Sequence, residues 1–140
     1  MERYEEYMGT FLGFDYGTHK IGVAVGQIVT KSANPLVTLS NVKNKPDWEK
    51  IEILIMEWKP QALIIGHPYE MTDKEASNAK NAKRFSRQLY ERFHLPVHLV
   101  DERLTTRDAW VQLGKDAIKD QTKVDSFAAK LILETWLQSN

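Results

Sequence analysis

The chain has 140 residues, of which 42% are hydrophobic, and its 19 basic and 19 acidic side chains give a formal net charge of zero. This length and composition are typical of one ordinary domain with a buried core. The absence of cysteine excludes disulfides and thiolate metal sites, so any metal must be held by oxygen or imidazole ligands. Because the net charge is zero, a nucleic-acid partner would need a local basic patch.

Residues 1–9 form a polar leader with three glutamates, which is unlike the basic and then apolar layout of a signal peptide. No apolar run approaches the roughly 20 residues that span a bilayer. We therefore expect a single domain over residues 1–140, a cytoplasmic location and no contact with a membrane.

Three strands are predicted in the first part of the chain. TFLGFDYG reads as a buried strand closed by Gly17, KIGVAVGQ as its hairpin partner, and NPLVTLS as a third strand. An amphipathic helix then follows from Pro46 to Trp58.

The second part of the chain alternates strands and helices. QALIIG is a short buried strand, and Thr72 or Asp73 is the candidate N-cap of the helix that follows it. LPVHLVDE is the next strand, before helices at about 105–113 and 124–137. The last helix carries an apolar stripe of Val124, Phe127, Ala128, Leu131, Ile132 and Trp136. This order predicts an α/β domain with a five-stranded mixed sheet flanked by helices.

Carboxylates lie at the ends of three apolar elements. Asp15 ends the first strand, and Asp101 and Glu102 end the last one, where alternation allows at most one of the pair to face a shared site. Asp125 lies in the first turn of the last predicted helix. Each also has a structural explanation. Asp15 could hydrogen-bond the tight turn at Gly17, Asp101 or Glu102 could pair with Arg103, and the helix dipole could favour Asp125. Together they predict a site for two hard cations.

Four motifs in order resemble the YqgF/RuvX family. They are FDYGTHKIGVAV, IIGHPYEM, VDERLTT and KVDSFAAKLILETWL, and they span almost the whole chain after the leader. The resemblance implies a ribonuclease-H-like fold and a nuclease associated with maturing the 5′ end of 16S ribosomal RNA, earlier described as resolvase-like. It also implies Asp15, Glu102 and Asp125 as catalytic residues and ligands of Mg²⁺ or Mn²⁺, with two ions expected. Asp101 and Gly17 would support them.

The implied reaction is the in-line attack of water on a phosphodiester, with the carboxylates holding the metal ions rather than attacking. The chain departs from the usual family pattern in the first motif, where Lys20 replaces Arg and keeps the charge without the bidentate fork. Gly26-Gln27 replaces Ser-Asp, His67 replaces Leu, and 72–75 replaces a glycine-rich loop. None of these departures removes a proposed metal ligand.

Basic residues supply the predicted contacts to substrate. On the helix predicted after Thr72 and Asp73, a positive stripe is formed by Lys80, Lys83, Arg84 and Arg87. This stripe is either a solvated face or a contact to phosphate. Arg103 and Arg107 lie beside the proposed metal site. The histidines lack the spacing of a zinc site. The predicted substrate-binding residues are Lys20, His67, Lys80, Lys83, Arg84, Arg87, Arg103, Thr105, Thr106 and Arg107.

Three other functions are compatible with parts of the sequence. The Asp-x-Gly-Thr hairpin also resembles the phosphate loop of actin-like and sugar kinases, but those proteins close two such domains around a nucleotide and 140 residues allow one. A non-catalytic RNA-binding scaffold of the same fold remains an alternative. A nuclease of branched DNA is another, since no short motif in the sequence distinguishes an RNA substrate from a DNA substrate. Structured RNA is the favoured partner, and the oligomeric state is not predicted.

Overall fold

A computed structural model describes residues 9–67, 73–101 and 121–140. One mixed sheet runs through these ranges in the order β4-β3-β2-β1-β5-β6. Its strands are β1 (Thr10–Tyr16), β2 (Lys20–Gln27), β3 (Ser32–Val42), β4 (Lys45–Pro46), β5 (Ala62–His67) and β6 (Val97–Asp101). The helices of the described ranges are α1 (Trp48–Trp58), α2 (Asp73–Phe93) and α3 (Gln121–Gln138).

The strand directions confirm the predicted mixed sheet, which combines an antiparallel meander with parallel crossovers. β1 pairs antiparallel with β2, and β2 pairs antiparallel with β3. β5 and β6 then add in parallel on the other side of β1. The carboxyl ends of β1, β5 and β6 therefore meet at one edge of the sheet, and the β1–β2 and β3–β4 turns lie at the same edge. We call it the upper edge.

The sheet has six strands where five were predicted, because the chain folds back once more after β3. Lys43 and Asn44 have φ of 51° and 60°, which is the two-residue hairpin geometry that needs positive φ at both central positions. Lys45 then pairs with Val42, and Pro46 with Asn41. Pro46 has no N–H to donate, and an edge strand tolerates this loss.

The two faces of the sheet bury separate apolar clusters. Leu12, Phe14 and Tyr16 point from β1 into the cluster covered by α1 and α2, where Phe85 and Leu89 are also buried. Phe11 of β1 and Ile64 of β5 point into the cluster covered by α3. Alternation along each strand thus decides which helix a residue meets.

The buried stripe of α3 differs by one helical position from the predicted one. Val124, Ala128 and Ile132 are buried as expected, but Phe127 and Leu131 are only half-buried, and Ala129, Leu133 and Leu137 take their places in the core. The reason is that β1 and β2 present glycine to this helix. A Cβ on Gly13 would lie 2.8 Å from Leu133 Cβ, and one on Gly26 would lie 2.9 Å from the methyl groups of Leu133 and Leu137.

The other predicted elements agree within a few residues. α1 begins at Trp48 after its N-cap Asp47, whose carboxylate accepts from the Lys50 N–H at 3.2 Å. Residues 1–8 of the leader and the helix predicted at 105–113 lie outside the described residues. In the described ranges no helix is both long and apolar enough to cross a bilayer.

Candidate active site

Asp15 is the penultimate residue of β1 and lies at the upper edge of the sheet. In the register it stands between Gly22 of β2 on one side and Gly66 of β5 on the other. Phe11 and Gly13 face α3, so alternation puts Asp15 on that face as well, where it is half-buried. A half-buried carboxylate on a core strand needs a cation or hydrogen-bond donors to offset the loss of water.

Asp125 is brought to the same place by Gly22. A Cβ on Gly22 would overlap the backbone carbonyl of Asp125 and would lie 2.9 Å from the N–H of Ser126. Only a glycine therefore lets α3 approach β2 this closely. Since Gly22 is also the cross-strand partner of Asp15, the two aspartates lie on the same face, one strand apart.

The start of α3 also changes how Asp125 is explained. The sequence placed Asp125 in the first turn of the last helix, but α3 begins at Gln121, so Asp125 is its fifth residue and the first turn contains no acidic side chain. The helix dipole favours a carboxylate chiefly within the first turn. The dipole is therefore a weaker reason for Asp125 than the sequence suggested, and the packing of its backbone against Gly22, the cross-strand partner of Asp15, is the stronger one.

The chemistry of these two side chains fits a hard divalent cation. Carboxylate oxygens are preferred ligands of Mg²⁺ and Mn²⁺, and half-burial limits competition from water. Within residues 9–67, 73–101 and 121–140, no group of three or more His, Asp or Glu side chains forms a complete set of metal ligands. The third proposed carboxylate, Glu102, lies outside these ranges.

The turn after Asp15 is tight and is tied to its neighbour. The Gly17 N–H donates to the Lys20 carbonyl at 2.9 Å, and a Cβ on Gly17 would lie 2.6 Å from the same oxygen. Lys20 then opens β2 with an exposed side chain. Asn41 of β3 donates through its side-chain amide to the Gly17 carbonyl at 2.7 Å, which ties the third strand to this turn.

The ends of β5 and β6 lie at the upper edge as well. His67 is the last residue of β5, and its backbone pairs with that of Asp101, the last residue of β6. On β6, His98 stacks on Trp136 of α3, and Val100 packs against the same cluster. The face of Asp15 therefore receives the even-numbered side chains of β6.

The basic stripe of α2 and Asp15 lie on opposite faces of the sheet. Lys80, Lys83, Arg84 and Arg87 are exposed, but α2 packs on the face of the sheet opposite to that of Asp15. The remaining predicted contacts lie outside the described residues; they are Arg103, Thr105, Thr106 and Arg107.

Two residues important for this geometry were not singled out from the sequence. Gly22 carries a recognisable signal, because a glycine inside a strand often marks the close approach of another backbone. Asn41 carries none, because its role depends on a contact with a turn 24 residues away.

The arrangement of strands and helices matches that of known resolvases. Thermus thermophilus RuvC, solved with a Holliday junction substrate, superposes with a TM-score of 0.61 at 12% identity, over 93% of this chain and 94% of that one. The fowlpox virus Holliday junction resolvase gives a TM-score of 0.55 at 13% identity, over 94% and 99%. The chain thus has the ribonuclease-H-like fold of the RuvC-type resolvases.

Sequence comparison then defines the family. A profile of the RuvX family, described as Holliday junction resolvase, matches residues 9–139. A Legionella pneumophila protein named "Putative pre-16S rRNA nuclease" is 50% identical over 94% of this chain and 97% of its own length. Proteins of the same name from Coxiella burnetii (49% identical, 91% of each chain) and Pseudomonas putida (44%, over 92% and 94%) are also similar. The chain belongs to the RuvX family.

Proposed function

We propose that this protein is a divalent-metal-dependent nuclease that hydrolyses phosphodiesters of structured nucleic acid, and that its substrate is the 5′ end of precursor 16S ribosomal RNA. The observation that carries the proposal is the approach of Asp125 to Asp15 across Gly22 at the upper edge of the sheet. Family membership supports the coarser statement, a hydrolase of nucleic-acid phosphodiester bonds.

Glu102 completes the proposed set of carboxylates. His98 and Val100 already face α3, so the even-numbered position favours Glu102 over Asp101 as the residue that joins Asp15 and Asp125. Asp101 would support the site from its backbone pairing with His67. We further propose that residues 1–140 act as one domain.

Asp15, Glu102 and Asp125 would hold Mg²⁺ or Mn²⁺, with two ions as the proposed number. When bound, such ions supply Lewis-acid stabilisation of the charge that develops on the phosphoryl oxygens. The carboxylates act as ligands and do not attack the substrate. Lys20, exposed beside the Gly17 turn, would neutralise and orient a phosphate next to the scissile bond, together with Arg103 and Arg107.

The choice of RNA rests on the names of the three relatives described above, each of which refers to pre-16S rRNA. Work on a ribosomal RNA precursor would place the protein in the bacterial cytoplasm. A resolvase acting on branched DNA is the second candidate, favoured by the description of the family profile. Both candidates use the same carboxylates, so the substrate and not the site distinguishes them. A scaffold of the same fold that binds RNA without cutting it is the third.

The test offers purified protein a labelled precursor 16S RNA and a four-way DNA junction, each with Mg²⁺, with Mn²⁺ and with EDTA. Metal-dependent cutting of the RNA at its 5′ side, lost in Asp15→Asn, supports the proposal. Cutting of the junction alone selects the DNA resolvase. Binding of RNA without any cutting, identical in wild type and Asp15→Asn, selects the scaffold and contradicts the proposed nuclease.

A further inference from the structure

The charge of this neutral chain is unevenly distributed. Residues 16–46, from the end of β1 to β4, contain four lysines and no aspartate or glutamate. The lysine side chains are all exposed. Lys31 lies in the β2–β3 turn at the lower edge, and Lys20, Lys43 and Lys45 lie at the upper edge. The meander therefore gives the edge of Asp15 a positive side that the net charge conceals.

The β1–β2 and β3–β4 turns form one structure. The Asn41 amide donates to the Gly17 carbonyl at 2.7 Å, and the Asn41 N–H donates to the His19 carbonyl at 2.8 Å. The Tyr16 hydroxyl donates to the Asn44 side-chain oxygen at 3.2 Å. Asn41 is only 1% exposed, so its bonds are shielded from water. These contacts hold the cations of the second turn at a fixed place relative to the turn that follows Asp15.

A hollow of about 310 Å³ lies between the two turns and is lined by Thr18, His19, Asn41, Val42, Lys43 and Asn44. Among the residues that the structure describes, no acidic side chain lines it. The nearest acid along the chain after Lys45 is Asp47, whose carboxylate is engaged with the Lys50 N–H at 3.2 Å and with the Lys50 ammonium at 3.8 Å. Of the lining residues, Lys43 supplies an exposed cation and Thr18 and Asn44 supply polar side chains, groups that can contact a sugar–phosphate backbone.

We propose that these two turns, which we call the turn platform (residues 17–20 and 41–45), bind the backbone of the substrate strand beside the cleavage site, with Lys43 and Lys45 on phosphates. The proposal rests on the proposed function for the identity of the strand. Of the two basic surfaces, the turn platform is the better placed to bind the substrate strand, because it shares the upper edge with Asp15. The α2 stripe lies on the opposite face of the sheet.

The experiment measures the affinity of the full chain for a labelled single-stranded RNA by fluorescence anisotropy, in EDTA so that nothing is cleaved, at several salt concentrations. The variants are the double substitution K43A/K45A, the charge-preserving K43R/K45R and the control Lys31→Ala, which removes an exposed lysine of the same acid-free segment at the lower edge. We expect K43A/K45A to raise Kd on the order of 10-fold and to flatten the log–log salt dependence by about 0.7 for each lysine that contacts a phosphate. K43R/K45R and Lys31→Ala should behave like wild type.

Equal affinity and equal salt dependence of K43A/K45A and Lys31→Ala would overturn the turn platform, as would a wild type that binds no RNA. The failure of the nuclease function has a different signature. A wild type that binds RNA through Lys43 and Lys45 but cleaves no substrate leaves the turn platform standing and removes the nuclease. If the wild type cleaves and K43A/K45A binds RNA normally, the nuclease function stands and the turn platform is overturned.

Discussion

Gly22 lies directly against the backbone of Asp125, with no room between them for a side chain. Because Gly22 is also the cross-strand partner of Asp15, this one glycine determines how far the second aspartate lies from the first. The candidate site thus depends on a residue that has no functional group of its own.

Replacing Gly22 with Ala should displace the start of α3 and separate the two aspartates. The added Cβ would overlap the Asp125 carbonyl, a backbone group that cannot turn aside. We expect a large fall in cleavage by protein that is still folded by circular dichroism. The matched control is Gly26→Ala, whose Cβ meets the ends of Leu133 and Leu137 and the Ser32 carbonyl oxygen, each at 2.9 Å, rather than the backbone of Asp125; it should lower the melting temperature but keep more activity per folded molecule. Equal losses in both variants would contradict this role for Gly22.

Mn²⁺ should raise the melting temperature of the wild type, because a ligand that binds only the folded state stabilises it, by about 2.7 kcal/mol at a hundredfold excess over Kd. Asp15→Asn should lose most of this shift, and EDTA should reverse it in the wild type. Asp47→Asn is the control, since Asn caps helix α1 as well as Asp does. Differential scanning fluorimetry measures all three. A shift of equal size in Asp15→Asn would show that the ion binds elsewhere.

Leu133→Ala should destabilise the fold by about 2–5 kcal/mol, the usual cost of a truncation at a fully buried leucine. Leu131→Ala, on the half-buried side of the same helix, should cost less than about 1 kcal/mol. Urea denaturation measures both. The reverse order would mean that the stripe read from the sequence, rather than the observed one, faces the sheet.

Asn41→Ala should remove the side-chain amide that donates to the Gly17 carbonyl. We expect the loss of this hydrogen bond to lower the free energy of unfolding by about 1–3 kcal/mol. Asn34→Ala, an exposed asparagine of the same strand, should lie within about 0.5 kcal/mol of wild type. Both values come from chemical denaturation. If Asn41→Ala is as stable as Asn34→Ala, the two turns are not held together by this side chain.

The sequence was sufficient for most of the fold, because strong periodic patterns define β1, β2, β5, α1 and α2. It was insufficient where a tertiary contact decides. The face of α3 depends on the glycines at positions 13 and 26, which admit Leu133 and Leu137 where a periodic pattern alone favoured Phe127 and Leu131. The hairpin turn at Lys43 and Asn44 depends on two positive φ angles, and a lysine at the first of these positions does not indicate such a turn in the sequence.

The sequence predicts the residues of the candidate site but not their geometry. Motif order predicts Asp15 and Asp125 as partners, whereas the contact of the Asp125 backbone with Gly22, the cross-strand partner of Asp15, is seen only in the structure. The cationic side of the upper edge was hidden by a net charge of zero, since the acids that balance its lysines lie elsewhere in the chain.

The central claim is that Asp15 and Asp125 work in one metal-dependent site, and the most direct test is the rate of RNA cleavage in Mg²⁺ by Asp15→Asn, Asp125→Asn and Glu134→Gln. The last is the control, because Glu134 lies on the same helix as Asp125 and accepts from the Ala33 N–H at 3.1 Å, which Gln can also do. We predict that both aspartate variants lose at least about 100-fold in rate, the scale on which removing one stabilising group acts in other enzymes, while Glu134→Gln cleaves like wild type. Full activity in Asp125→Asn, with the loss confined to Asp15→Asn, would contradict the claim.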